Sequence, residues 1–376
     1  MAQDRTVLSA ADVERIYDRL IRPDILGDLP RSPRPTAVIV AGQPGAGKTY
    51  TAARIQAHLA TSVGVSVVIS GDELREYHPG WNAGADATSV DATREAVSRW
   101  YARLSEDVSA QGVNAVFRST LRQPRAALVL TSLLRRHGYD LSAVVLATHR
   151  EQSRQTTMAR FDLARASGAA APFVSAASHD TAYDQLRESL GRLEAERAVD
   201  RIQVVAPDGR QLYANEVDGQ RWIRDPKAVS VLDDFRERRL TARELADIAL
   251  RWQTLVQRFV SDPSVPRQVA SQAAAWRNQA TALAEGDPEA AQMMTWGREA
   301  EAFRTLERGL FLREFPHHAK AVDRLEEAIR YAQGNFQLDT DRERFVVQAR
   351  ERLAERIGEG RFAAKPPTRE RGSKAR

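Results

Sequence analysis

An α/β fold, with a mainly parallel sheet flanked by helices and an all-α domain following it, is predicted by three features of the 376-residue sequence. Short β-branched runs alternate with helical patterns up to about residue 210, the order that builds parallel strands joined by helical crossovers. The loop after the first run reads Gly-x-x-x-x-Gly-Lys-Thr, a pattern that belongs between a strand and a helix. Beyond about residue 228 the strand-like runs stop, and apolar residues recur at helical spacing.

Taken in order, Ser9 and Asp12 can cap a first helix carrying Val13, Ile16, Tyr17 and Leu20 on one face, and Pro33 and Pro35 close the connection to the sheet. Strands are expected at Thr36–Ala41, Val65–Ser70, Val113–Phe117 and Leu141–Ala147. A fifth, Ile202–Ala206, precedes Asp208-Gly209 and then Gln211–Ala214, which predicts a hairpin or sharp turn at the sheet edge. Thr241 and Glu244 form a capping box. The helix it opens places Leu245, Ile248, Ala249, Trp252, Leu255, Val256 and Phe259 on one stripe, and Ser261-Asp262-Pro263 ends it. Further helices are expected over 266–284, 289–313, 317–333 and 339–358, separated by Gly286-Asp287-Pro288, Pro316 and Gly334-Asn335. The expected organisation is an N-terminal helix and linker (1–35), an α/β domain (36–227), a helical domain (228–360) and a basic tail (361–376).

Composition excludes several kinds of chemistry. Cysteine is absent, so disulfides, thiol nucleophiles and cysteine-ligated zinc are ruled out. The net charge of +5 looks like a nucleic-acid signal until it is located. Lys365, Arg369, Arg371, Lys374 and Arg376 against Glu370 supply four of those charges, so the body is nearly neutral and the tail reads as a solvated, disordered end. Nucleic acid is therefore not an expected partner. No apolar run approaches the roughly 18 residues needed to span a bilayer. Asp4, Asp12 and Glu14 interrupt the N-terminal segment, which predicts a cytoplasmic protein without a secretory region. His317 and His318 follow Pro316 with no carboxylate at ligand spacing, and read as helix-start residues, not metal ligands.

The chemistry concentrates at Gly42-Gln43-Pro44-Gly45-Ala46-Gly47-Lys48-Thr49, with Tyr50 next on the following helix. Glycines at 42, 45 and 47 let successive backbone N–H groups converge on phosphate oxygens, and the helix opening at Lys48 offers its positive end to the same anion. Lys48 would reach the β/γ-phosphates of a nucleotide such as ATP, and the Thr49 hydroxyl would ligate Mg²⁺. Such a loop leaves the phosphoryl acceptor open, and in a parallel sheet the residues to examine lie at the carboxyl ends of strands. Asp72, after the second strand, could take the proton of an attacking hydroxyl or hold the Mg²⁺ shell; a helix N-cap is the plainer role. After the third strand, Ser119, Thr120 and Arg122 could contact a polar substrate or simply form a loop. After the fourth, a helix bears Arg150, Arg154 and Arg160, one of which could meet the charge on a transferring phosphoryl group while the others are solvated.

From about Thr36 to Trp222 these residues resemble the zeta-toxin family of P-loop kinases, the toxic component of bacterial epsilon/zeta-type toxin–antitoxin systems. The resemblance rests on AGQPGAGKT, GDELREYHP, VNAVFRSTLRQP, ATHREQSRQTTMARF, SHD at 178–180 and VVAPDGRQLYANE, and covers about half the chain. It implies a P-loop kinase-like fold and an ATP- and Mg²⁺-dependent kinase acting on the 3′-hydroxyl of the amino sugar in UDP-N-acetylglucosamine. It further implies that Lys48 and Thr49 serve nucleotide and magnesium, Asp72 is the catalytic base, Arg160 is the first phosphate-contacting arginine, Thr120 lies in the sugar-facing loop, and a small helical antitoxin is the partner. Two positions depart from the family pattern. Arg118 stands where the family carries a glutamate that helps hold the sugar, and its guanidinium could pair with Asp72 and depress its basicity. The second phosphate-contacting arginine, expected shortly before His179-Asp180, has no counterpart in Gly168–Ser178, and Arg165 is the nearest substitute. The rival readings are a nucleotide-binding pseudokinase and a kinase with a different small-molecule acceptor, either one regulated by the helical domain.

Overall fold

A computed structural model describes residues 7–81, 92–168 and 173–362. The basic tail residues from Lys365 onward lie outside the described residues. The chain forms two compact units, Met1–Arg239 with Leu255–Trp276, and Leu240–Thr254 with Arg277–Arg376.

The first unit is built on a seven-stranded sheet of order β2-β3-β1-β4-β5-β6-β7. Its strands are β1 Thr36–Ala41, β2 Ser66–Ser70, β3 Asn114–Ser119, β4 Asp140–Leu146, β5 Arg201–Val205, β6 Gln211–Asp218 and β7 Arg221–Trp222. The first five run parallel, and β6 and β7 extend the sheet antiparallel. β1 is central, pairing Ala37 with Ala115 on one side and Leu141 on the other. Both of its faces are covered, as its unbroken apolar run requires. Ala37, Ile39 and Ala41 join one core, and Val38 and Val40 join another.

The expected hairpin forms between β5 and β6. Gly209 takes φ +84°, the Asp208 carboxylate accepts from the Arg210 N–H at 2.9 Å, and the pairing slips between Val204 and Val205. β6 continues past Ala214 to Asp218, and β7 carries no strand signal of its own in the sequence.

At the N-terminus Ser9 caps the first helix, accepting from the Asp12 N–H at 3.1 Å. The apolar face, however, is not the expected one. A π turn over Tyr17–Ile21 inserts a residue, so Val13, Tyr17 and Ile21 are buried while Leu20 is half exposed. The Trp100 indole N–H locks this face by donating to the Val13 carbonyl at 2.9 Å. Residues 228–237, expected at the start of the helical domain, form the helix Ala228–Glu237, which packs into the sheet's core through Ala228 and Leu232. Its first N–H groups include that of Ala228, which donates to the Glu194 carboxylate at 3.0 Å.

In the second unit the capping box is present, with the Glu244 carboxylate accepting from the Thr241 N–H at 2.9 Å and the Thr241 hydroxyl accepting from the Glu244 N–H at 3.3 Å. The single helix expected over 289–313 is two, Pro288–Thr305 and Arg308–Glu314. Leu306 and Glu307 are extended between them, with no glycine or proline to announce the break. Helices Ala319–Asn335 and Asp339–Gly358 close a core around Phe303, Phe311, Leu325 and Ile357. Among the described residues no helix is long and apolar enough to cross a membrane.

Candidate active site

The phosphate loop leaves the carboxyl end of β1 and enters the helix Lys48–Ser62. Gly45 and Gly47 sit at φ +78° and +94°, a region that only glycine occupies cheaply. Gly45 is needed for space as well, because a Cβ there would lie 2.0 Å from the Ser153 carbonyl oxygen. The fully buried Gln43 donates from its amide to the Thr148 carbonyl at 2.8 Å, tying the loop to the end of β4. Its side chain is therefore an anchor, and only its backbone is available to a phosphate. Lys48 Nζ donates to the carbonyls of Gly42 and Gln43 at 2.8 and 3.0 Å. Burial, reinforced by Arg160 and Arg118 and opposed by Asp72, pushes its pKa down to about 8. These glycines and this lysine fit a nucleotide's phosphates, and Thr49 lines the same cavity.

A cavity of about 1460 Å³ opens from this loop across the carboxyl ends of the strands. Its wall includes Pro44, Gly45, Gly47, Lys48, Thr49, Tyr50, Asp72, Arg118, Thr120, Arg122 and Arg160, so the structure brings most of the expected site together. Gly42, Gln43 and Ala46 stand behind that wall as supports. Tyr50 is largely exposed, with the Arg54 guanidinium 5.8 Å from its ring centre. Among the described residues, Lys48, Arg75, Arg94, Arg118, Arg122, Arg125 and Arg160 line the cavity against only Asp72 and Glu106. A cleft so strongly cationic is suited to polyanionic ligands.

Asp72 is the second residue of the short helix Gly71–Leu74, which follows β2 directly, so it is not the N-cap the sequence allows; Ser70 holds that position and makes no side-chain cap bond. Burial disfavours its charge, but Arg75, then Arg160, Lys48 and Arg118, outweigh it and hold the carboxyl below its ordinary range. The partner it meets directly is Arg75, at 2.5 Å. The expectation that Arg118 would pair with Asp72 is corrected by geometry. Arg118 points from the end of β3 to the Glu73 carboxylate and the Ser70 hydroxyl, both at 2.8 Å. The sequence carries no signal for Arg75, because an arginine at i+3 from an aspartate reads as ordinary surface.

Among the arginines of the helix Arg150–Ser167, the structure discriminates. Arg154 holds Asp180 with two hydrogen bonds of 3.0 and 2.8 Å and also meets Glu151, while Arg150 pairs with Asp184 at 2.9 Å. Arg160 alone of these three lines the cavity. Arg165 does not substitute for a second phosphate-contacting arginine, because it pairs with Asp262 at 2.7 Å and bonds Ser264, outside the cavity wall. Residues 169–172 of the segment where that arginine was expected lie outside the described residues.

Thr120 is followed by Leu121, which holds φ +47° and is buried. A branched residue in this conformation costs about 1–3 kcal/mol and marks a loop fixed by its surroundings. The Leu121 N–H donates to the Ser119 hydroxyl at 3.0 Å, and the buried Ser189 hydroxyl donates to the Leu121 carbonyl. Behind the phosphate loop, Ser153 Oγ meets His179 Nε2 at 2.9 Å and His179 Nδ1 meets Asp180 at 3.0 Å. This series imitates a nucleophile relay, but Ser153 and His179 are fully buried and off the cavity wall. The Ser153 carbonyl accepts from the Thr157 hydroxyl at 2.8 Å and packs against Gly45, so the series backs the loop. Burial lowers the His179 pKa despite Asp180.

The zeta toxin family profile matches residues 24–218. The toxin PezT of Streptococcus pneumoniae serotype 4 is 29% identical over 188 residues, covering 48% of this chain and 72% of that protein. The toxin zeta of Enterococcus hirae is 25% identical over 189 residues, covering 48% of this chain and 64% of that protein, less than two thirds of its length. The fold is similar to a solved structure of the PezAT chromosomal toxin–antitoxin system of Streptococcus pneumoniae, with a TM-score of 0.54 and 22% identity over 68% of this chain and 99% of that one. With more than half of its length matched by the family profile, and with the phosphate loop, Asp72 and Arg160 gathered in one cleft, this chain belongs to the zeta toxin family.

Proposed function

We propose that this chain is an ATP- and Mg²⁺-dependent kinase that phosphorylates the sugar 3′-hydroxyl of UDP-N-acetylglucosamine, acting in the cytoplasm as the toxin of a bacterial toxin–antitoxin pair with a small helical antitoxin. One observation carries the reading: a carboxylate kept ionised, Asp72, shares a cationic cavity with Lys48 and Arg160 at the carboxyl ends of the strands. Lys48 and the loop N–H groups would hold the β- and γ-phosphates, and Thr49 would hold Mg²⁺, which neutralises phosphate charge when bound. Asp72 accepts the proton of the acceptor hydroxyl, and Arg160 meets the negative charge that develops on the transferring group. Thr120 and Arg122 contact the acceptor from the strained loop after β3. Catalysis in this arrangement is mostly positioning.

A second reading has a specific observation behind it. Arg118 at the end of β3 and Arg122 just after it place two guanidiniums on the cavity wall, which suits an acceptor carrying its own phosphate or carboxylate there. The test incubates wild-type protein and Arg118→Glu with Mg-ATP and UDP-N-acetylglucosamine and follows the sugar nucleotide by mass spectrometry. Phosphorylated sugar nucleotide from either protein supports the first reading. Consumption of ATP only when a different anionic acceptor is supplied supports the second and overturns the first.

A further inference from the structure

We propose that Glu299, His317 and His318 form a site for one divalent transition-metal ion of the zinc class. The three belong to the helical unit and take no part in the nucleotide cleft. In the sequence they look unrelated, since 17 residues lie between Glu299 and the histidine pair. The fold brings them together. Glu299 projects from the helix Pro288–Thr305, and Pro316 starts a 3₁₀ turn, Pro316–His318, that holds adjacent imidazoles with ring centres 4.2 Å apart. His317 Nε2 lies 3.2 Å from one carboxylate oxygen and His318 Nε2 lies 2.9 Å from the other.

These distances suit a shared ion. The three ligand atoms lie within 4.8 Å of one another. Zinc binds nitrogen and oxygen at about 2.0–2.2 Å, which sets two ligands of a tetrahedral site roughly 3.4 Å apart, so each histidine nitrogen needs to move only about half an ångström or less from its carboxylate oxygen. Two imidazoles select ions such as Zn²⁺, Co²⁺, Ni²⁺ or Cu²⁺ over Mg²⁺ or Ca²⁺.

Charge and burial favour an ion over a simple pair of hydrogen bonds. Only 9% of the Glu299 side chain is exposed, and among the described residues no lysine or arginine comes within ion-pair distance of it. A buried carboxylate is stable when paired or bound to a metal. His318 is fully buried, which keeps its ring fixed against the carboxylate. His317 is 43% exposed, which gives an ion its way in and leaves room for water as a further ligand. Bound there, the ion would cross-link the helix Pro288–Thr305 to the turn after it, closing the segment that includes Phe311, whose ring stacks on His318 at 5.9 Å.

The test uses the full chain without an affinity tag, stripped with chelator, and titrated with Co²⁺ by visible absorption and with Zn²⁺ by calorimetry. The expected result is one ion per chain and a thermal midpoint that rises with Zn²⁺. His317→Ala changes a half-exposed residue, so its fold is checked by circular dichroism and retained. Its affinity falls at least about tenfold, since loss of even an outer-shell partner costs 10–100-fold. Glu299→Gln gives the same loss. Absence of stoichiometric binding to the wild type, or unchanged affinity in both variants, overturns the proposal.

Discussion

Replacing Gly45 and Gly47 separately by alanine divides backbone strain from steric exclusion in the phosphate loop. Both glycines have positive φ, so each substitution carries a conformational cost of about 1–2 kcal/mol. Only Gly45 is crowded. Its added Cβ would sit 2.0 Å from the Ser153 carbonyl and 2.5 Å from the Thr157 hydroxyl, whereas nothing lies within 4 Å of the Cβ position at Gly47. The Ser153 carbonyl belongs to a helix backbone and cannot rotate away, so overpacking adds about 1–3 kcal/mol at position 45. Urea unfolding without nucleotide should therefore place Gly45→Ala about 2–5 kcal/mol below wild type and Gly47→Ala about 1–2 kcal/mol below. Equal losses for the two variants would refute the claim that the helix Arg150–Ser167 presses directly on the loop.

Three further outcomes follow from the same geometry. Lys48 has its pKa depressed to about 8, and bound phosphate raises it again, so calorimetry at pH 8 in buffers of different ionisation enthalpy should detect uptake of about half a proton on ATP binding. At pH 6.5 uptake should vanish, as it should at both pH values in Lys48→Arg. His179 has a folded pKa below its unfolded value, so the unfolded chain binds more protons and stability falls as pH drops through about 6.5. Denaturant midpoints from pH 7.5 to 5 should show this loss in wild type and a smaller one in His179→Gln. Asp72, held below the ordinary carboxylate range, stays ionised as pH falls, so the acid limb of the rate profile should begin below the usual aspartate pKa. An acid limb between pH 5 and 7 that disappears in Asp72→Asn, measured on residual activity, would contradict that assignment.

Much of the fold was legible because the relevant signals are local. β1 and its loop were readable residue by residue, since a β-branched run, three glycines and Lys-Thr each have one backbone requirement. The capping box at Thr241 and Glu244 and the turn at Asp208-Gly209 belong to the same class. What failed to appear was set by tertiary contacts. The π turn at Tyr17–Ile21 moves the buried face from Leu20 to Ile21 because Trp100, far along the chain, fixes Val13. The helix break at Leu306–Glu307 has no sequence signal. At the site, the residue types at strand ends were readable, but their pairings were not. Nothing in the linear sequence says that Arg118 turns to Glu73 while Arg75 takes Asp72, or that Arg154 and Arg165 are tied up by Asp180 and Asp262. The sequence around the histidine pair holds no carboxylate at ligand spacing, and Glu299 supplies one from another helix.

The central claim is that the cleft transfers phosphate with Asp72 as base, and the most direct measurement follows the rate of UDP-N-acetylglucosamine phosphorylation in wild type and Asp72→Asn, with ATP affinity determined alongside. The account predicts phosphorylated sugar nucleotide from wild type, a rate about 10²–10⁴-fold lower in the variant, and ATP affinity that is not weakened in step. Equal rates in the two proteins, or no phosphorylation by wild type despite tight binding of Mg-ATP, would contradict it.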